Sequence, residues 1–295
     1  MRIPLLITGC LLLALTAGPA WAQTGRAFMA ASSSDAPAWA KGAPDSKCLE
    51  TTKTGCIDWS RGYAIGVGFG KAPNRMMAER IAQLIAQRNL LEMIKGVNLN
   101  SSTTVKESAL ESDVIRTQIS GRLQGLVPVD KTRFYSDGSI GVKYKASLFA
   151  MVPEKAYRAQ SGPPKELDPP QAPAAGSALN SGAAYTGLII DARGTGVRPA
   201  MSPKIYDPQG REVYGSAYVS REFATSQGMM GYVKSIQAAR GTDRVKGNPA
   251  LIKALEARGA NKADLVISQA DADALRVISK QQTFLKESRV MVVLD

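Results

Sequence analysis

The chain has 295 residues, 37 Lys and Arg against 25 Asp and Glu, a formal charge of +12, and no histidine. Without histidine, Ser-His-Asp and Cys-His mechanisms and all His-ligated metal sites are excluded, so acid–base chemistry would rest on carboxylates, Lys or Tyr. The hydrophobic share of 44% suffices for one large or two modest packed domains.

The N-terminus carries one charge, Arg2, then an apolar run from Leu5 to Ala17, the breaker Gly18-Pro19 and the small-x-small triplet Ala20-Trp21-Ala22. This pattern predicts a signal peptide over residues 1–22, cleaved after Ala22, and export to the periplasm or outer membrane. The run is short for a bilayer span of roughly 20 apolar residues. Ile7-Thr8-Gly9-Cys10 also reads as a lipobox, with Cys10 as a lipid-bearing terminus. Cutting there would leave little apolar sequence upstream and strand Leu11-Leu12-Leu13 on the mature chain, so an ordinary apolar-region cysteine is the better reading. Loss of Arg2 leaves a mature charge of +11, which suits anionic envelope surfaces. The basic residues are scattered, with no Lys/Arg block or aromatic-interleaved stripe, and no nucleic acid partner is expected.

Residues 23–46, rich in Ala, Ser, Gly and Pro, read as a flexible leader. Cys48 and Cys56 form an even pair in an exported chain and read as a disulfide, worth roughly 2.5 kcal/mol for so short a loop. Two thiols without histidine fall short of a four-ligand metal set. Tyr63–Gly70 alternates, with Gly66, Gly68 and Gly70 on one face, and predicts a strand. Pro73 suits the first turn of a helix over 74–95. Its stripe is Met77, Ile81, Leu84, Ile85 and Leu91, with Ala78, Ala82 and Ala86 allowing close approach and Gly96 as C-cap. Core packing is the better account of that stripe, and a membrane-surface helix the other. Val97–Lys106 reads as extended and Glu107–Leu123 as a second helix. A hairpin across Asp137-Gly138 joins 125–135 to 139–151, with Ile140, Val142, Tyr144, Ala146, Leu148 and Ala150 on one face.

Pro163-Pro164, Pro169-Pro170 and Pro173 mark a linker over 159–183, stiff in its first half and flexible in its second. Beyond it, strands are expected over 185–192, 204–206, 211–218, 263–268 and 289–294, with a turn at 207–210 and helices near 229–239 and 249–258. The predicted fold class is α+β. Two small domains are expected: residues 47–158, a largely antiparallel sheet with helices packed on one face, and residues 184–295, a second α/β-type domain.

The 59–150 block carries Trp59, Gly66-x-Gly68-x-Gly70, Arg88-Asn89-Leu90, Ile94-Lys95-Gly96-Val97, Ile119-Ser120-Gly121 and Asp137-Gly138. In these it resembles the Lpp-twenty-type lipoprotein family and, more loosely, the N-terminal domain of flagellar assembly protein T. The resemblance covers about a third of the chain. It implies an envelope location and a binding or structural role, and it supplies no catalytic residues to transfer.

Three motifs invite chemistry. Gly66-x-Gly68-x-Gly70 lacks the third glycine of a dinucleotide loop and the Ser/Thr of a P-loop, so close helix packing explains it better. Asp264, Asp271 and Asp273 could bind a divalent cation, but lack the glycine and distal glutamate of an EF-hand, and a loop or helix cap accounts for them. Asp191-Ala192-Arg193-Gly194 sits at a strand end, where Asp191 and Arg193 could grip a polar ligand, or form a glycine turn closed by a surface ion pair. The expectation is a non-enzymatic envelope-associated protein without a cofactor. It would bind an envelope protein or a second copy of itself in an assembly such as a flagellar basal structure. A carboxylate-based hydrolase using Asp191 or Asp264, and a binder of anionic lipid or cell-wall polymer, are the alternatives.

Overall fold

The computed structural model describes residues 48–52, 54–126, 128–157, 163–171 and 176–295. The expected signal peptide, Cys10 and the 23–46 leader lie outside them. The architecture is α+β, with one antiparallel and one mixed sheet.

The first sheet comprises β1 (Glu50–Thr52), β2 (Gly55–Asp58), β3 (Tyr63–Gly70), β4 (Arg133–Phe134) and β5 (Ile140–Ser147), in the order β1-β2-β3-β5-β4. All its pairings are antiparallel. Cys48 and Cys56 stand at disulfide distance, Cα–Cα 5.7 Å. Helix α1 (Arg75–Lys95) lies on one face of the sheet, followed by α2 (Val105–Glu111) and α3 (Asp113–Gln124).

The contact between α1 and β3 follows from matched spacings. Four helical residues rise about 6 Å and two strand residues about 6.6 Å. Ala78, Ala82 and Ala86 therefore keep step with Gly70, Gly68 and Gly66. A Cβ on Gly66 would lie 2.6 Å from the Ala86 carbonyl oxygen. On Gly68 it would meet the Ala82 carbonyl and Ala86 amide, and on Gly70 the Ala78 carbonyl. Asn89 Nδ2 donates to the Val67 carbonyl at 2.7 Å beside this seam.

The seam reverses the expected apolar face of α1. Its buried residues are Ala78, Ala82, Ala86, Leu90 and Ile94, whereas Met77, Ile81, Leu84 and Ile85 are exposed and Leu91 is partly buried. Over Ala78, Ala82 and Ala86 the glycine floor admits a methyl group and no larger side chain, whereas Leu90 and Ile94 are buried farther along the helix. Pro73 precedes the helix, whose N-cap is Asn74, accepting from the Met76 N–H at 2.8 Å. Gly96 is the C-cap, as expected.

Further along, the predicted extended stretch 97–106 turns at Asn100, whose Oδ1 accepts from the Ser102 and Thr103 amides. Thr104 and Glu107 then form a capping box that starts α2. The single helix expected over 107–123 is two, because Ser112 turns its side chain to cap α3. The hairpin closes with Gly138 at φ 79, and Ile140, Val142, Tyr144 and Ala146 share the buried face. Leu148 is also buried, but Ala150 is exposed, since the chain coils into α4 (Leu148–Met151) and then α5 (Glu154–Tyr157).

The second sheet comprises β6 (Leu188–Asp191), β7 (Ile205–Tyr206), β8 (Glu212–Tyr214), β9 (Gly231–Val233), β10 (Ala250–Arg258), β11 (Asp264–Ile267) and β12 (Val290–Val293), in the order β8-β7-β11-β10-β6-β12-β9. The β10-β6-β12-β9 half is parallel. Helices α6 (Arg221–Ser226), α7 (Ile236–Arg240) and α8 (Gln269–Ile278) accompany it. The helix expected over 249–258 is instead β10: its residues favour helix, but Ala250, Ile252 and Ala254 alternate inward and pair with two neighbours. The helix expected over 229–239 is divided between β9 and α7. Helix α8, which the sequence reading missed, begins at the Ser268 N-cap.

The described residues of the expected linker run as a strap on the second domain. Lys165 N–H donates to the Ala217 carbonyl at 2.8 Å, Gln171 N–H to Asp273 at 3.1 Å and Ser177 Oγ to Asp271 at 2.7 Å. Leu179 is buried. The two domains also share one apolar core. Met201 and Ser202 amides donate to the Asn98 and Leu99 carbonyls at 3.0 and 2.7 Å. The Phe149 ring fills the space beside Gly62 of the first domain and Gly228 of the second, and Trp59 meets Tyr232 edge-on with ring centroids 5.6 Å apart.

Gly68→Ala should lower the unfolding free energy by about 2–3 kcal/mol, since its methyl would press on backbone. Gly121→Ala, in α3 with nothing within 4 Å, should raise it by about 0.5–1 kcal/mol. Urea denaturation of the two variants reads both signs.

Candidate functional site

Asp191 and Arg193 are brought together at the carboxyl end of β6, the edge where open α/β sheets bind ligands. Arg193 Nε donates to Asp191 Oδ1 at 2.8 Å and Nη2 to Oδ2 at 2.6 Å. The next amide, Gly194 N–H, donates to Asp295 Oδ1 at 2.9 Å. Gly194 and Gly196 adopt φ of 81° and 67°, the left-handed geometry of the turn. The Arg193 side chain holds the Asp191 carboxyl below its ordinary value. The bidentate pair thus satisfies both charges internally.

The other candidate acids are engaged by the fold. Asp271, in the first turn of α8, accepts from Oγ of the N-cap Ser268 at 2.8 Å and from the strap, and is buried. Asp273 Oδ1 accepts from fully buried Arg276 at 3.1 Å. The Arg276 guanidinium also donates to Asp207 Oδ2 at 2.9 Å, and Arg211 Nε donates to the same oxygen at 2.8 Å. Asp207 and Arg276 escaped sequence reading. The turn at 207–210 was legible, but the arginine that meets it is 69 residues away. Asp264 Oδ1 accepts from the Lys204 N–H at 2.9 Å, and burial pushes its carboxyl up. Among the described residues no group of three or more Cys, Asp or Glu is placed to hold a metal.

The Gly66-x-Gly68-x-Gly70 face lies beneath α1, with its glycines against helix backbone. No phosphate could approach those amides without displacing the helix.

Among the described residues two surfaces are the stronger candidates. The first is the outer ridge of α1: Met76, Met77, Ile81, Leu84 and Ile85 are between 36% and 79% exposed, flanked by exposed Arg80 and Arg88. Such a run of large apolar side chains makes this ridge a candidate interaction surface. Among the described residues no helix is long and apolar enough to cross a membrane.

The second is a cleft of about 750 Å³ where the two domains meet, bounded by Ser60, Arg61 and Tyr63 of the first and by Tyr232–Ser235 and Thr242–Arg244 of the second. Sequence reasoning missed it, because its cations are single residues dispersed over nearly two hundred positions.

In comparisons with known proteins, residues 187–295 match the family model for the second domain of Treponema pallidum Tp0624. That is a little over a third of the chain and takes in the whole seven-stranded sheet. No curated protein matches the chain.

Burial acts to raise the Asp207 and Asp273 carboxyls but is outweighed. For Asp207 the Arg211 amide and the Arg276 and Arg211 side chains lower it, and for Asp273 Gln269, the Gln171 amide and Arg276 do so. A depressed carboxylate contributes stability that is complete above its unfolded value of about 3.9 and is lost as pH falls through the folded value. Asp207→Asn should therefore cost about 3 kcal/mol at pH 7. Its difference from the parent should narrow below about pH 4, as read from urea unfolding at each pH.

Proposed function

We propose that this chain is a non-enzymatic, exported binding and assembly protein of the bacterial envelope, which docks through the outer ridge of α1. The observation that carries the reading is the placement of Met77, Ile81, Leu84 and Ile85 in solvent while alanines seal the same helix to its sheet. A helix already held along its inner face can present apolar side chains rigidly, at little ordering cost to a partner.

The resemblance of the 59–150 block to Lpp-twenty-type lipoproteins and to the flagellar protein domain supports an envelope setting, as does the signal-peptide pattern. The partner is an envelope protein or a second copy of this chain, in an assembly such as a flagellar basal structure. The hydrolase alternative draws less support from the geometry, because Asp191 is paired with Arg193 and Asp264 with a backbone amide. Binding to an anionic envelope surface draws support from the net positive charge and from the exposed arginines that flank the ridge.

The test is Ile81→Glu with Leu84→Glu. Both side chains are substantially exposed, so unfolding should shift by no more than about 0.5 kcal/mol per site. Self-association in sedimentation, or crosslinked capture of one envelope assembly in the native host, should be lost. A parent protein that is monomeric and captures no assembly, or a variant that associates unchanged, would overturn the docking surface.

A further inference from the structure

We infer that the cleft between the two domains is a binding site for a small polyanion, recognised through its phosphate or carboxylate oxygens. Its volume of about 750 Å³ is that of a small-molecule site, and such sites form preferentially where domains meet. Its walls carry Arg61, Lys234 and Arg244 against one acid, Asp243. Lys145 adds a further cation, its Nζ 3.9 Å from the centroid of the Tyr63 ring that lines the cleft.

The arginine in the wall is the most informative of these. The Arg244 Nη1 donates to the Ser288 and Gly228 carbonyls at 2.7 and 3.2 Å, and its Nη2 to the Gln227 carbonyl. Among the described residues no carboxylate pairs with it. Burial accordingly lowers its pKa to about 10. A guanidinium held by neutral oxygens alone keeps a positive field with no counter-charge, and an anion in the cleft would supply one. Arg61 and Lys234, both exposed, form no side-chain hydrogen bond or ion pair among the described residues. They are free to close on the same ligand, and guanidinium groups favour bidentate contacts to phosphate or carboxylate. Ser235 Oγ accepts from the Ala238 N–H at 3.1 Å, which leaves its proton to donate.

The ligand would also touch both domains, since Arg61 belongs to the turn after β2 and Lys234 follows β9. Binding should therefore stabilise the pair of domains together.

The experiment titrates the full chain, by calorimetry at low salt, with inorganic pyrophosphate, with citrate, and with phosphatidylglycerol vesicles against phosphatidylcholine vesicles. Saturable binding of at least one anionic probe is expected. Arg61→Ala with Lys234→Ala should weaken it at least tenfold, while removal of two exposed cations elsewhere, Lys106→Ala with Lys131→Ala, should leave it within about twofold. Pyrophosphate or citrate binding without vesicle binding identifies a free small anion, and selective vesicle binding a lipid headgroup. Ile81→Glu with Leu84→Glu should leave the cleft's binding intact, which separates this site from the α1 ridge. Absence of saturable binding to every anionic probe at millimolar concentration, or equal loss in the two charge-removal variants, would overturn the inference.

Discussion

The seam between α1 and β3 is the contact on which the first domain depends. Glycines at every second strand position and alanines at every fourth helix position have nearly the same repeat. Helix and sheet can therefore stay in contact over three successive steps. At each step a methyl on the strand would strike helix backbone, so the fit is steric before it is energetic. Where Ala78, Ala82 and Ala86 meet the glycines the separation is too small for leucine or methionine, and Met77, Ile81, Leu84 and Ile85 are turned away from the sheet, whereas Leu90 and Ile94 are buried farther along the helix.

The same close fit shapes the rest of the molecule. The chain leaves α1 at Gly96 and immediately supplies Asn98 and Leu99 to the second domain through backbone hydrogen bonds. At the other end of the first domain, Phe149 enters a space that Gly62 and Gly228 leave open, one glycine from each domain. The domains do not meet completely, and the unfilled volume with Ser60, Arg61 and Tyr63 on one side and Tyr232–Ser235 on the other is the basic cleft. In the second domain, the strap and α8 are joined by carboxylates: Asp271 and Asp273 bind strap amides, while Arg276 ties Asp273 to Asp207. Arg276 is fully buried, so both Asp207 and Asp273 are needed to balance it.

Local pattern was legible where the physics is local. The strand at 63–70, the helix over 75–95, the Asp137-Gly138 turn and the inward residues of β5 follow from alternation, helical spacing and turn chemistry. The stretch 250–258 was misread because Ala, Leu, Lys, Glu and Arg favour helix, while flanking strands on both sides imposed an extended backbone. The start of α8 was signalled by Ser268 with Asp271 three residues on, and a helix cap was one of the readings of these acids, but the helix that follows them was not predicted. Asp191 and Arg193 were recognisable because only one residue separates them. The cluster of Asp207, Asp273 and Arg276 was not, since its members are distant along the chain.

The sequence by itself determined the α+β class, the absence of histidine chemistry, the glycine and alanine repeats and the positive charge, all of which are properties of composition or short-range order. Tertiary structure alone decided which face of α1 is buried, because apolarity argues for the large residues and steric depth admits the small ones. It also decided that Asp207 and Asp273 are the partners of buried Arg276, and that Arg61, Lys234 and Arg244 face one cleft. Those outcomes depend on distances between residues far apart in the chain, and no local spacing encodes them.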